Sequence, residues 1–129
     1  MAGQILSFRD LRVYQKMFNL QQDIFEASKT WPKEEKYALT DQVRRSSRSV
    51  GASIAESWAK RRYPPHFVSK LTDADGELQE TSHWLSTALE CQYITAKQYI
   101  GFETRLKEIG RMIGKMMSMP DSFTPKPAL

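Results

Sequence analysis

The sequence predicts an all-α protein, an antiparallel up-down-up-down bundle of four helices. Three observations predict it. Breaks at Pro32, at Pro64-Pro65 and at Pro120 leave four long segments, about residues 8–30, 40–62, 65–92 and 95–118. None alternates apolar and polar residues as a half-buried strand does, and no Asn-Gly turn separates two alternating runs. The third and fourth segments carry apolar residues at alternating steps of four and three. Segments of about 22 residues make rods of roughly 33 Å, and short joins force neighbours antiparallel.

Helix one carries two adjoining stripes. Leu11, Tyr14, Phe18 and Phe25 form one, and Val13, Met17, Leu20 and Ile24 the other. Together they cover about half the cylinder, more than a single bundle core needs. The second side is therefore expected to pack against another subunit, the alternative being a helix deeply buried in one bundle. Helix two is expected to start at Thr40 as N-cap, with Asp41 in the first turn and Glu34 to Tyr37 in a separate short turn. Leu39, Val43, Val50, Ile54 and Trp58 share its core face. Ser46, Ser47, Ser49, Gly51, Ala52, Ser53 and Ala55 make the same segment slender, which favours close helix–helix approach.

Helix three is expected to open at Pro65, a permitted first-turn position. Phe67, Leu71, Ala74, Leu78, Thr81, Leu85 and Ala88 form its seam, flanked by Glu77, Glu80 and Trp84. Helix four opens on Thr95 with Gln98 three residues on, the form of a capping box. Tyr99, Phe102, Leu106, Ile109, Ile113 and Met116 form its seam. Arg105, Lys107, Arg111 and Lys115 lie off it, and Met112, Met116, Met117 and Met119 read as adaptable packing rather than a binding groove. One domain over residues 1–118 follows, with residues 119–129 as a loose, Pro-containing tail.

Composition excludes several classes. The chain has 129 residues, 40% of them hydrophobic, and a mean hydropathy of −0.55. No apolar run approaches the roughly 18 residues that span a bilayer. The N-terminal stretch has neither a basic start nor a long apolar segment, so no secretory signal is read there. A lone Cys91 rules out an internal disulfide and fits a reducing cytoplasm.

The net charge of +4 is unevenly spread: residues 41–70 hold seven basic and two acidic groups, and residues 71–100 one basic and five acidic. Three readings stand: a solvated face, a surface that meets a polyanion, or two surfaces that pair within or between chains.

Chemistry-bearing motifs are sparse. Bundles can hold two iron atoms on paired Glu-x-x-His motifs plus two further glutamates. Glu80 and His83 make one such pair, but His66 has no glutamate three residues before it. A structural zinc site needs four ligands of Cys or His type, and only Cys91, His66 and His83 are present. No phosphate-cradling Gly-rich loop and no nucleophile elbow occur. Glu77 and Glu80 border the apolar face and read as structural carboxylates that pair with an arginine or a capping hydroxyl. No catalytic, metal or cofactor-binding residue is assigned.

The basic segment is the strongest functional signal. On a helical wheel Arg44, Arg48 and Arg62 fall within about 40° of one another, with Arg45 to one side, all away from the Val43–Ile54 face. Lys60-Arg61-Arg62-Tyr63 adds cations beside an aromatic. Guanidinium forks match phosphate oxygens and stack on bases. Arg44, Arg45, Arg48, Lys60, Arg61 and Arg62 are thus the candidate nucleic-acid contacts, with little sequence reading expected. Arg44 and Arg45 have an alternative: pairing with the acidic 73–90 block of a neighbour.

Several blocks resemble a known family. They are Phe8-Arg9-Asp10-Leu11 with Val13-Tyr14-Gln15; Trp31-Pro32, Glu35 and Tyr37-Ala38-Leu39; Gln42-Val43-Arg44-Arg45-Ser46; Ser49-Val50; Ile54-Ala55-Glu56; and Ala74-Asp75-Gly76-Glu77-Leu78-Gln79-Glu80-Thr81. The chain resembles, over about residues 8–115, the bacterial four-helix-bundle proteins encoded in intervening sequences of 23S ribosomal RNA genes. It departs from them at Ser57, where the family usually has glycine, and at Glu77, where it often has serine. Both departures bear on packing and surface near the end of helix two.

The resemblance implies a homopentameric barrel of four-helix bundles, cytoplasmic and non-enzymatic. It also brings in the related accessory protein of diversity-generating retroelements, a basic pentamer that engages nucleic acid and a reverse transcriptase. On this basis the chain is expected to bind RNA or DNA through the basic surface of helix two, with no membrane partner. The alternative is a protein–protein scaffold without nucleic acid.

Overall fold

Four helices, each bracketed by a turn that its own sequence explains, make up the computed structural model, which describes residues 4–125. A 3-10 turn Phe8–Asp10 leads into α1 (Arg12–Ser28). A second 3-10 turn, Lys33–Glu35, and a π turn, Lys36–Thr40, lead into α2 (Asp41–Ala59). Then come α3 (Pro64–Glu90), α4 (Ala96–Ser118) and a last 3-10 turn, Pro120–Ser122. No strand occurs among the described residues. α1 packs on α2 and α4, and α3 packs on the same two, the α2–α3 pairing being the most extensive. This is the all-α four-helix bundle that the periodicity predicts.

α1 starts at Arg12 rather than near residue 8. The Ser7 hydroxyl accepts from the Arg9 amide, and the Asp10 carboxylate accepts from the amides of Leu6 and Ser7. Those bonds close a separate turn, and Leu11 in an extended conformation (ψ 126°) divides it from the helix. The two stripes of α1 then part company. Val13, Met17, Leu20 and Ile24 are buried in the bundle. On the other stripe only Leu11 is buried; Tyr14 and Phe25 are half-buried, and Phe18 is 43% exposed. Phe8 meets Tyr14 edge-on at 4.8 Å, and Tyr14 stacks on Phe18 at 6.2 Å. An aromatic row therefore lines the outer side of α1.

Thr40 does not cap α2. It is itself helical (φ −59°, ψ −51°), and its side chain makes no capping bond. The π turn before it already supplies acceptors, the Asp41 amide donating to the Lys36 carbonyl. Amides with partners need no side-chain cap. The slender segment of α2 acts as its composition predicts. Ser46, Ser47, Gly51 and Ser57 are buried. The hydroxyls of Ser46 and Thr81, both 0% exposed, meet at 2.8 Å between α2 and α3. Ser57 donates its hydroxyl to the Ile54 carbonyl inside α2.

α3 opens at Pro64, one residue earlier than expected, with both prolines in the first turn, where no amide donor is required. All seven of its predicted seam residues are buried. Thr95 and Gln98 exchange both bonds of the capping box at the start of α4. Phe102, Leu106, Ile109, Ile113 and Met116 are buried behind it, with Tyr99 half-buried. A Cβ at Gly110 would lie 3.3 Å from Leu78 Cδ2, so glycine suits the close approach of α3 and α4 there. In the segment read as a loose tail, Phe123 stacks on Phe67 at 5.3 Å; residues 126–129 lie outside the described residues. No helix among the described residues is long and apolar enough to cross a membrane.

The α1–α2 corner and the turn between α3 and α4 meet through Trp31 and Tyr93, whose rings are 6.2 Å apart. Trp31 is 7% exposed, and its Nε1 has no acceptor among the described residues. The Tyr93 hydroxyl donates to Glu35 at 2.8 Å. That hydrogen bond, aided by burial and the Glu35 charge, pushes the phenol up to about 12 from its ordinary 10. A raised folded-state value means the contribution is complete below pH 10 and fades as pH rises through about 12. The difference in phenolate absorbance between the wild type and Tyr93→Phe is expected to rise near pH 12, and Glu35→Gln to bring it back toward 10. A wild-type midpoint at 10 would show that this bond is absent in solution.

Candidate nucleic-acid interface

The six candidate cations come from one stretch of chain but fall in three places. Arg44 and Arg48, one helical turn apart on α2, both lean toward α1. There the Phe25 ring lies 4.6 Å from the Arg44 guanidinium carbon and 5.5 Å from that of Arg48. Arg44 is further fixed by its Nε, which donates to the Ser28 hydroxyl at 2.8 Å. Ser28 in turn donates to the Phe25 carbonyl at 2.9 Å. Arg44 is held by its inner nitrogen and by ring stacking, and among the described residues its terminal nitrogens have no protein acceptor. Arg48 is exposed and makes no ion pair among the described residues. Ser49 and Ala52 keep this open groove wide, and Asp41 is its single carboxylate.

Arg45 also lines this groove, but its guanidinium is turned away toward α3. Its Nη2 donates to Glu80 on α3 at 2.9 Å and to Gln42 at 3.2 Å. Glu80 also accepts from the Trp84 indole at 3.3 Å. The pairing of the basic and acidic blocks is thus realised here inside one chain. Glu80 fills the structural role expected of it. Glu77 does not: its side chain pairs with no arginine or hydroxyl among the described residues, and its Oε2 is buried without a hydrogen-bond partner. Lys70 adds a second α2–α3 bridge, to Glu56 at 3.0 Å, and pairs with Asp73 within α3 at 3.6 Å. The Glu56 bond is the main cause of its raised pKa.

Lys60, Arg61 and Arg62 lie past the end of α2, in the turn to α3. Arg61 stacks 3.8 Å over Trp58 and donates to the Trp58 carbonyl at 2.9 Å. It serves the helix C-terminus, where carbonyls lack intrahelical partners. Lys60 and Arg62 are exposed. Because α2 ends at Ala59, the helical wheel does not carry Arg62 onto the face of Arg44 and Arg48. Sixteen residues at 1.5 Å put Lys60 about 24 Å from Arg44 along the axis. Two of the six residues, Arg44 and Arg48, therefore make one preorganised notch. Phe25 and Ser28, which shape it, were not singled out as site residues in the sequence. They belong to another helix, and only tertiary distance brings them there.

The Glu80–His83 pair does not converge on a metal position. His83 packs edge-on against Trp84 at 4.8 Å. Among the described residues no group of three or more His, Cys, Asp and Glu side chains is arranged to hold an ion.

Comparison with known proteins agrees with the fold. A crystal structure of a protein of unknown function from the S23 ribosomal protein family of Bacteroides thetaiotaomicron VPI-5482 superposes with a TM-score of 0.73 and 27% identity. The match covers 82% of this chain and 95% of that one. No curated protein matches. The family model described as 23S rRNA-intervening sequence protein matches residues 9–115, and the chain belongs to that family.

Proposed function

We infer that this chain is a non-enzymatic cytoplasmic protein that assembles into a homo-oligomer and binds RNA or DNA through the Arg44–Arg48 notch. One observation carries the reading: two guanidinium groups lean on a single phenylalanine ring at an open groove. Phosphate oxygens accept from such forks, and a stacked arginine has less freedom to lose on binding. Assembly is supported by the aromatic row left outside on α1, with Phe18 43% exposed. The pentamer implied by the resemblance would gather five notches on one particle, so weak sites act together.

Filter binding to mixed RNA and DNA at two salt concentrations tests the reading. Retention that drops steeply with salt is expected. Absent or salt-independent retention overturns the nucleic-acid role, and a protomer mass by light scattering at micromolar concentration overturns assembly. The second reading, a protein scaffold, is favoured by the groove between α2 and α3, where Glu56, Asp73, Glu77 and Glu80 gather. A partner retained after nuclease treatment would support it.

A further inference from the structure

At one end of the bundle the start of α1 and the last turns of α4 leave an apolar groove of about 320 Å³. Leu11 and Val13 form one wall, Met112 and Met116 the other, and Met119 and Phe123 close the end. Two cations, Arg12 and Lys115, stand at its rim, and no carboxylate lines it. Both are exposed, and neither makes an ion pair among the described residues. Two exposed apolar side chains line it, Met119 at 42% and Ile5 at 40%.

We propose that this groove binds a fatty acid, its alkyl chain lying on the methionine wall and its carboxylate between Arg12 and Lys115. The lining is apolar with a few placed polar groups, the usual make-up of a small-molecule site. Its volume sits at the small end of the roughly 300–1,000 Å³ range of such sites, enough for one chain. A docked helix would need anchors at i, i+3, i+4 and i+7, a longer trough than this. Thioether side chains adapt to a flexible chain without a fixed shape. The charges choose the headgroup: two unneutralised cations beside an apolar floor favour an anion over a neutral or cationic amphiphile. This site is separate from the Arg44–Arg48 notch and does not rest on the nucleic-acid reading.

The probe is dansyl-undecanoate, with decanoate and decanol as competitors on the full chain. Its emission is expected to rise on binding. Decanoate should displace it ~10-fold or more better than decanol, the scale of one charged hydrogen bond. Arg12→Gln with Lys115→Gln should erase that preference and leave decanol unchanged. Met119→Trp, which fills the groove from its exposed edge, should weaken both. Arg44→Ala with Arg48→Ala should change none of this. No emission change, equal displacement by the two competitors, or a preference that survives loss of both cations would overturn the proposal. So would a fall in particle mass on adding decanoate, because the groove would then be a contact between copies.

Discussion

Phe67→Ala is expected to cost about 3–5 kcal/mol of folding stability, the largest loss from any single truncation considered for this chain. Phe67 is 0% exposed and begins the α3 seam, where the core closes. Removing the ring deletes its transfer energy and leaves a cavity that its packed neighbours fill only in part. It also removes the platform on which Phe123 stacks. Phe123→Ala is the matching control. That ring is half-buried, so its loss should be clearly smaller. Urea unfolding decides it, through a lower midpoint at unchanged slope. Equal losses at the two positions would mean that the α3 end of the bundle is not packed as described.

The second large effect concerns binding. Arg44→Ala with Arg48→Ala is expected to weaken RNA or DNA binding ~10-fold or more. The same variant should lower the slope of log K against log salt by roughly 1.5–2, because two phosphate contacts disappear. Arg45→Ala and Arg61→Ala are the controls. Arg45 is occupied by Glu80, and Arg61 by the end of α2, so neither should alter the slope. Their cost falls on stability. For the half-exposed Arg45–Glu80 pair it should stay within about 1 kcal/mol. A slope that moves equally for all three variants would mean a diffuse charge effect and no notch.

The α3 and α4 seams were legible because every buried position repeats at steps of four and three, and a straight rod keeps such a pattern on one side. The two stripes of α1 were legible too, but which one faces inward was not. That depends on where α2 and α4 sit, which no residue of α1 specifies. The entry to α2 was hidden for another reason. Lys36–Thr40 forms a π turn, whose wider spacing breaks the 3.6-residue period used to find helix starts. Ser7 with Asp10 has the same spacing as Thr95 with Gln98 and closes the first short turn, but three residues are too few to show a period of their own. At the candidate site, helical spacing placed Arg44 and Arg48 together on α2. It could not show Phe25 beneath them, nor Glu80 drawing Arg45 away.

The Ser46–Thr81 contact bears on how the two longest-packed rods find their alignment. A seam that repeats every seven residues looks much the same after sliding by one repeat, about 10 Å. After such a slip Ser46 would oppose Ala74 or Ala88, which carry no hydroxyl. About 0.5–1.5 kcal/mol would be forfeited, a modest sum for stability. It still helps separate the true register from its near-copies, as a buried check beside the exposed Arg45–Glu80 and Lys70–Glu56 bridges that a slip would also break.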